Sequence, residues 1–347
     1  MEVNYIIVGL GIAGLSVCEE LRKRGKSFVI FDEGSKNATA ASGGIINPTI
    51  LKRFTTPWKT ELFHPRALEF YQKLQKDLNE NIFSFTVIDR IFSSIEEQNN
   101  WIVASDKEKT KDYLKSEFLE SVNPNVIAPL GLGEVEGSVQ LNIRMLLQCY
   151  RKKLESGNQY FQEIFDYSLI NSQSSYVSYK GVKANYIVFC EGPTVKENPF
   201  FPQEAVVGNK GEYIIIEAPE LNLARLIKGN HYIIPLGESK YKVGATFDVG
   251  GSTWNTTEYA KDFLTKELQR MISCPFKVIG QTAGIRATTK DHKPILGTLR
   301  DFPRYAFFNG LGTRGLMMAP LLAEILMDNI EEELPIPEEI SINRFLK

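Results

Sequence analysis

Gly9-Leu10-Gly11-Ile12-Ala13-Gly14 is a glycine pattern that can hold a pyrophosphate against backbone amides. Gly9 permits a tight turn out of a strand, and Gly11 lets the chain approach the ligand. Gly14 lets the following helix pack close to the sheet. That helix, with Ile12 and Ala13 in its first turn, presents free N–H groups and the positive end of its dipole to the phosphates. Asp32, beside Glu33, ends the next apolar stretch 18 residues after Gly14, and a carboxylate there accepts a hydrogen bond from a ribose hydroxyl. The chemistry implied is the binding of a dinucleotide. The unit does not by itself choose between a nicotinamide and a flavin.

Elements must stand around these residues for the motif to work. Tyr5–Val8 predicts a buried strand, residues 12–24 a helix stopped by Gly25, and Phe28–Phe31 a second buried strand. Both strands are apolar throughout, as a parallel sheet covered on both faces requires. Residues 36–48 predict a long, small-residue loop, and Tyr186–Cys190 a third apolar strand ending at Glu191-Gly192. Phe63–Leu78, with Pro65 in its first turn, Leu141–Leu154, Tyr259–Ile272 and Leu316–Met327 predict helices. Pro320 sits oddly in the last of these, so that helix is expected to start later or to kink. Phe85–Ser94, Trp101–Ala104, Tyr213–Glu217, Tyr232–Pro235 and Tyr241–Phe247 predict antiparallel strands. The chain switches between α/β and β-meander patterns more than once. The expectation is therefore an α/β fold, α+β overall, of two domains that are each discontinuous. Residues 1–80, 140–205 and 284–347 form a Rossmann-like nucleotide domain in this division. Residues 81–139 and 206–283 form an antiparallel-sheet substrate domain, with the ligand where the two meet.

Composition excludes several classes. The 347 residues carry 40 Lys+Arg against 42 Asp+Glu, a net charge of −2, which gives no general field for nucleic acid. Four scattered cysteines without a CxxC pair, and three histidines, offer neither a disulfide framework nor a metal site. A reducing cytoplasm is the expected compartment. The apolar run Tyr5–Val17 is glycine-rich and follows Glu2, unlike a signal peptide, and no stretch is long enough to span a membrane.

Two C-terminal blocks decide the reading. One is Gly284-Ile285-Arg286-Ala287-Thr288-Thr289-Lys290-Asp291, running on to Pro294 and Gly297; the other is Asn309-Gly310-Leu311-Gly312-Thr313-Arg314-Gly315-Leu316. With the N-terminal unit and Ser42-Gly43-Gly44, they resemble the D-amino-acid oxidase superfamily of flavoenzymes, and most closely the glycine oxidase-like branch. The flavin half of the bifunctional enzyme that modifies tRNA wobble uridine is similar too. The resemblance runs over nearly the whole chain and is loose in 50–135 and 195–230.

The resemblance implies FAD and assigns roles residue by residue. Arg286 matches the arginine that holds the substrate carboxylate, a task its guanidinium fork suits. Arg314 is a second candidate for contact with substrate or flavin. Ser42, Gly43 and Gly44 match the segment passing the pyrophosphate and ring, and Ile164 matches a strand residue whose backbone meets adenine. Gly192 ends the third strand beside the nucleotide. Gly312 and Thr313 would offer amides to the flavin, while the helix opening at Gly315 and Leu316 aims its positive end there. Asp291 is expected to bond backbone before Pro294. Residues 36–48 hold no His or Cys, so the flavin is expected to be non-covalent.

The implied activity is oxidation of a C–N bond in a small amino acid or secondary amine by hydride transfer. Oxygen or a quinone would accept the electrons. Rival readings are action on a carboxymethylaminomethyl-uridine of tRNA, a flavin-binding protein without turnover, and an NAD-dependent dehydrogenase.

Overall fold

In the computed structural model, residues 1–347 are described apart from Lys36, Val122 and Lys347. Tyr5–Val8 pairs in parallel register with Phe28–Asp32 on one side and Tyr186–Phe189 on the other. Two more strands extend the sheet beyond Tyr186–Phe189: Tyr305–Asn309 in parallel, then Ile295–Thr298 antiparallel at the edge. Tyr160–Gln162 closes the opposite edge, making six strands among the described residues. The central strand is fully buried because helices cover one face and a layer of aromatic and aliphatic side chains covers the other.

The covering helices are Ile12–Lys23 and Gly315–Glu332, with Thr60–Leu78 and Ile143–Ser156 beside them. Gly14 sits where a Cβ would stand 2.0 Å from the Gly9 carbonyl oxygen, so only glycine lets the first helix lie this close to its strand. The last helix starts at Gly315, and Pro320 lies in its interior. The proline ring removes the N–H that would bond the Leu316 carbonyl. The Tyr71 hydroxyl fills that place, donating to the Leu316 oxygen at 2.9 Å. Pro320 is thus accommodated by a neighbouring helix, with no late start. Thr60–Leu78 likewise begins three residues before Phe63, which puts Pro65 in its second turn and not its first.

A ten-stranded sheet makes the second layer among the described residues. Its backbone is the antiparallel pair Val207–Glu217 and Lys277–Thr288, in which Asn209 faces Arg286 and Gly211 faces Gly284. Tyr232–Gly237 and Lys240–Gly244 form a hairpin whose turn residues Glu238 and Ser239 have φ of +51° and +57°. Phe83–Ile91 and Leu132–Leu141 continue the sheet.

One expected strand is a helix. Trp101–Ala104 lies within Ile95–Ser105. Ser94 caps it by accepting from the Glu97 amide, and the Glu97 carboxylate reaches back to the Ser93 amide. Trp101, Ala104 and Ser105 are the buried residues, at helical spacing.

Candidate functional site

A cavity of about 690 Å³ opens between the two sheets. The nucleotide loop forms one end. Gly9 has φ +97°, and a Cβ there would lie 2.7 Å from the Cys190 carbonyl oxygen. Gly9, Gly11, Ile12 and Ala13 line the cavity, while Gly14 stands behind them and packs the helix. The loop is braced from two sides. Asp32 Oδ1 accepts from the Leu10 amide at 2.8 Å, and Thr39 Oγ1 from the Ile12 amide at 3.0 Å. Asp32 Oδ2 accepts from the Gly34 amide and the Tyr160 hydroxyl, so the carboxylate is fixed at the rim with Glu33 beside it.

Ile164 lies past the end of its strand, is 77% exposed and lines the same end. That exposure rules out a core role. Gly192 opens a short 3-10 helix and accepts from Asn309 Nδ2 at 3.0 Å. Glu191, between Tyr167 and Asn198, takes hydrogen bonds of 2.6 and 2.9 Å from them. Burial pushes its carboxyl up to about 7, against the pull of those two donors.

The segment Ser42-Gly43-Gly44 lines the cavity. A Cβ on Gly43 would come 2.6 Å from Ile234 Cδ1, and one on Gly44 2.2 Å from the Leu141 carbonyl oxygen. The backbone here packs close against the ten-stranded sheet and also lines the cavity. Lys242 fixes it from behind: its Nζ donates to the Ala41 and Ser42 carbonyls at 2.8 and 2.7 Å, over the Tyr213 ring. Burial pulls this lysine down to about 8.

Arg286 projects from Lys277–Thr288 across Gly211, where a Cβ would stand 2.3 Å from its Nη2. Its Nη1 is buried with no hydrogen-bond partner, and no carboxylate pairs with it among the described residues. Phe247 lies 5.8 Å from the guanidinium. A buried guanidinium N–H without an acceptor costs enough that a ligand acceptor is the natural occupant.

Arg314 caps the last helix by position and gives it no side-chain cap. Its Nη1 and Nη2 donate to the Asn47 and Thr49 carbonyls at 2.7 and 3.0 Å. The arginine therefore holds the loop that continues from Gly44, and it too lines the cavity. Of the two amides expected to face the ring, Gly312 is spent, donating to the Ala287 carbonyl at 2.8 Å. The Thr313 amide has no acceptor among the described residues, and Thr313, Gly315 and Leu316 line the wall. Asp291 bonds the Lys293 amide and pairs with Arg344, at the structural post expected of it.

Sequence reasoning missed Lys228, His231, Tyr232, Tyr213 and Gly211, which also line this cavity. Lys228, Tyr232, Tyr213 and Gly211 sit on strands and His231 on the turn between two of them, and only the sheet pairing brings them to one cavity.

A family model described as DAO, FAD dependent oxidoreductase, matches residues 4–329. The chain belongs to this family. Its cofactor is FAD, and the close-approach glycines, the uncapped helix at Gly315 and the orphaned Nη1 of Arg286 fit that group and a ligand beside it. Among curated relatives, glycine oxidase of Bacillus subtilis is 22% identical, over 95% of this chain and 94% of its own. The bifunctional protein ThiO/ThiG of a Nostoc species is 26% identical over 96% of this chain. The tRNA 5-methylaminomethyl-2-thiouridine biosynthesis bifunctional protein MnmC of Legionella pneumophila is 24% identical over 100% of it. The chain spans only 53% and 58% of the length of those two bifunctional proteins. Glycine oxidase from Geobacillus kaustophilus has the same fold, with a TM-score of 0.76 at 18% identity over 96% of both chains. No helix among the described residues is long and apolar enough to cross a membrane.

Proposed function

We propose that this flavoenzyme oxidises a C–N bond of a small amino acid or secondary amine that carries a carboxylate. The observation that carries the reading is Arg286: a cationic fork with one buried, unpartnered N–H, placed in the cavity wall and kept free of protein carboxylates. When bound against the glycine loop and the Ser42–Gly44 segment, FAD would supply the redox chemistry, as the acceptor of a hydride from the α-carbon. Arg286 anchors the carboxylate and so aims that carbon. The tight Ser42–Gly44 backbone and Phe247 restrict where the amine can lie. The amine would arrive neutral and give up its α-hydrogen as hydride; the resulting iminium ion would hydrolyse with water after release. Proposed contacts for the cofactor, held without a covalent link, are Gly9 to Ala13, Asp32, Glu33, Ser42 to Gly44, Ile164, Gly192 and Thr313 to Leu316. Oxygen or a quinone is the final acceptor.

Arg286→Ala removes a buried, charge-assisted contact of roughly 2–5 kcal/mol, so the apparent KM is expected to rise at least tens-fold while FAD stays bound. Wild-type kinetics in that variant would refute the assignment. A carboxymethylamino group on tRNA is the same chemistry on a larger carrier, and retardation of tRNA in a low-salt gel separates it from a free amino acid.

A further inference from the structure

Lys242 is the middle residue of Lys240–Gly244 and is 8% exposed. Its cross-strand partners are Ile215 and Ile234, and its Nζ lies 4.7 Å from the Tyr213 ring centre. No carboxylate pairs with it among the described residues. A buried ammonium without a counter-ion costs free energy, and a neutral side chain would spare the sheet that cost. What the ammonium does instead is hold two carbonyls of another segment, those of Ala41 and Ser42.

That hold sets the direction of a backbone donor. The Ser42-Gly43 peptide bond is trans, and in a planar trans peptide the N–H points opposite to the C=O. With the Ser42 oxygen turned to Lys242, the Gly43 N–H is turned away from it. The amides on either side are occupied: Ser42 donates to the Thr39 carbonyl at 3.0 Å and Gly44 to the Ser42 hydroxyl at 3.3 Å. The Gly43 amide has no acceptor among the described residues, and Gly43 lines the cavity. A half-buried donor left so is unfavourable until a ligand supplies the acceptor.

We propose that Lys242 is a positioning residue for the cofactor: it holds the Ser42-Gly43 peptide so that the Gly43 amide donates to the flavin ring of bound FAD, and its charge, one peptide behind that amide, favours the reduced ring. This rests on the placement of FAD against Ser42–Gly44 and names the group that maintains it. A donor fixed in advance and backed by a positive charge is worth most where electron density accumulates, so its effect is larger on the reduced flavin than on the oxidised one.

The test compares wild type, Lys242→Met and Lys242→Arg as apoproteins reconstituted with FAD at pH 7. The readings are the FAD dissociation constant and the midpoint potential by anaerobic dye equilibration. Lys242→Met is expected to bind FAD about tenfold more weakly. Its potential is expected to fall by about 30 mV, a tenfold change in the two-electron equilibrium. Lys242→Arg keeps the charge and the donors, and should bring both readings back to within about threefold of wild type. A residue that merely stabilised the fold would lower the melting temperature and leave the potential alone, so an unchanged potential in Lys242→Met would overturn the proposal. Should Lys242→Met not fold, Lys242→Gln, which keeps an N–H donor and loses the charge, takes its place with the same expected fall in potential. Hydrogen exchange in the wild type tests the placement separately. The Gly43 amide is expected to exchange at least tenfold more slowly with FAD bound than without. A rate that FAD leaves unchanged would overturn the placement and the proposal together, whereas a slowed amide beside an unchanged potential in the variant would remove only the part given to Lys242.

Discussion

Arg286 reaches the cavity only because residue 211 has no side chain. Gly211→Ala would place a Cβ 2.3 Å from Nη2, and the flexible arginine would yield before the sheet does. The expected phenotype is a mild copy of Arg286→Ala: FAD retained, secondary structure unchanged, and KM raised about tenfold, on the order of 1.4 kcal/mol. Steady-state kinetics check it, and an unchanged KM would show that the guanidinium does not need that position. Glu191 gives a pH signature. Its carboxyl is pushed from 4.5 up to about 7, so the fold favours the protonated form. The stability it contributes is complete below about 4.5 and is lost as pH rises through about 7. Glu191→Gln does not titrate. Its melting temperature relative to wild type should therefore rise between pH 5 and pH 8, and a pH-independent difference would contradict the buried-carboxyl account. At this scale the sequence is most legible where backbone geometry restricts residue type, as at Gly9, Gly14 and Gly44. It is least legible for Lys228 and Lys242. A lysine on a strand reads as a solvated face until the pairing shows which way it points.

At the scale of elements, the nucleotide unit is readable because strand, glycine turn and helix are contiguous and their periodicities are distinct. Ile95–Ser105 reads in part as a strand because Trp101-Ile102-Val103 favours strands locally. The Ser94–Glu97 capping pair outweighs that preference, and its signal is present in the sequence. Lys277–Thr288, which carries Arg286, does not stand out as a strand: it is rich in glycine and threonine and draws its order from 11 register pairs with Val207–Glu217. Pro320 shows how one element completes another. Tyr71→Phe removes the hydroxyl that serves the Leu316 carbonyl and leaves that acceptor unpaired, at a cost of about 1–3 kcal/mol. A drop of a few degrees in the thermal midpoint is expected, with the helix content by circular dichroism unchanged. A neutral result would mean that the carbonyl has another partner.

For the whole molecule, two sheets meet around one cavity, and the site residues come from both. Gly9 to Ala13 and Asp32 belong to the six-stranded sheet and its first turn; Arg286, Tyr213, Lys228 and Tyr232 belong to the ten-stranded one. Local patterns reveal each half, but the closeness of residues 42, 211, 232, 286 and 314 is a product of tertiary pairing alone. Function on this fold lies in the site and not in the scaffold, so the central claim is tested at the site. The most direct measurement is the visible spectrum of the purified protein without oxygen, before and after adding carboxylated amines one at a time. The account predicts a yellow protein whose flavin band bleaches with a carboxylated amine and not with the same amine lacking its carboxylate. A yellow protein that no such amine bleaches, or that bleaches equally without the carboxylate, would contradict it.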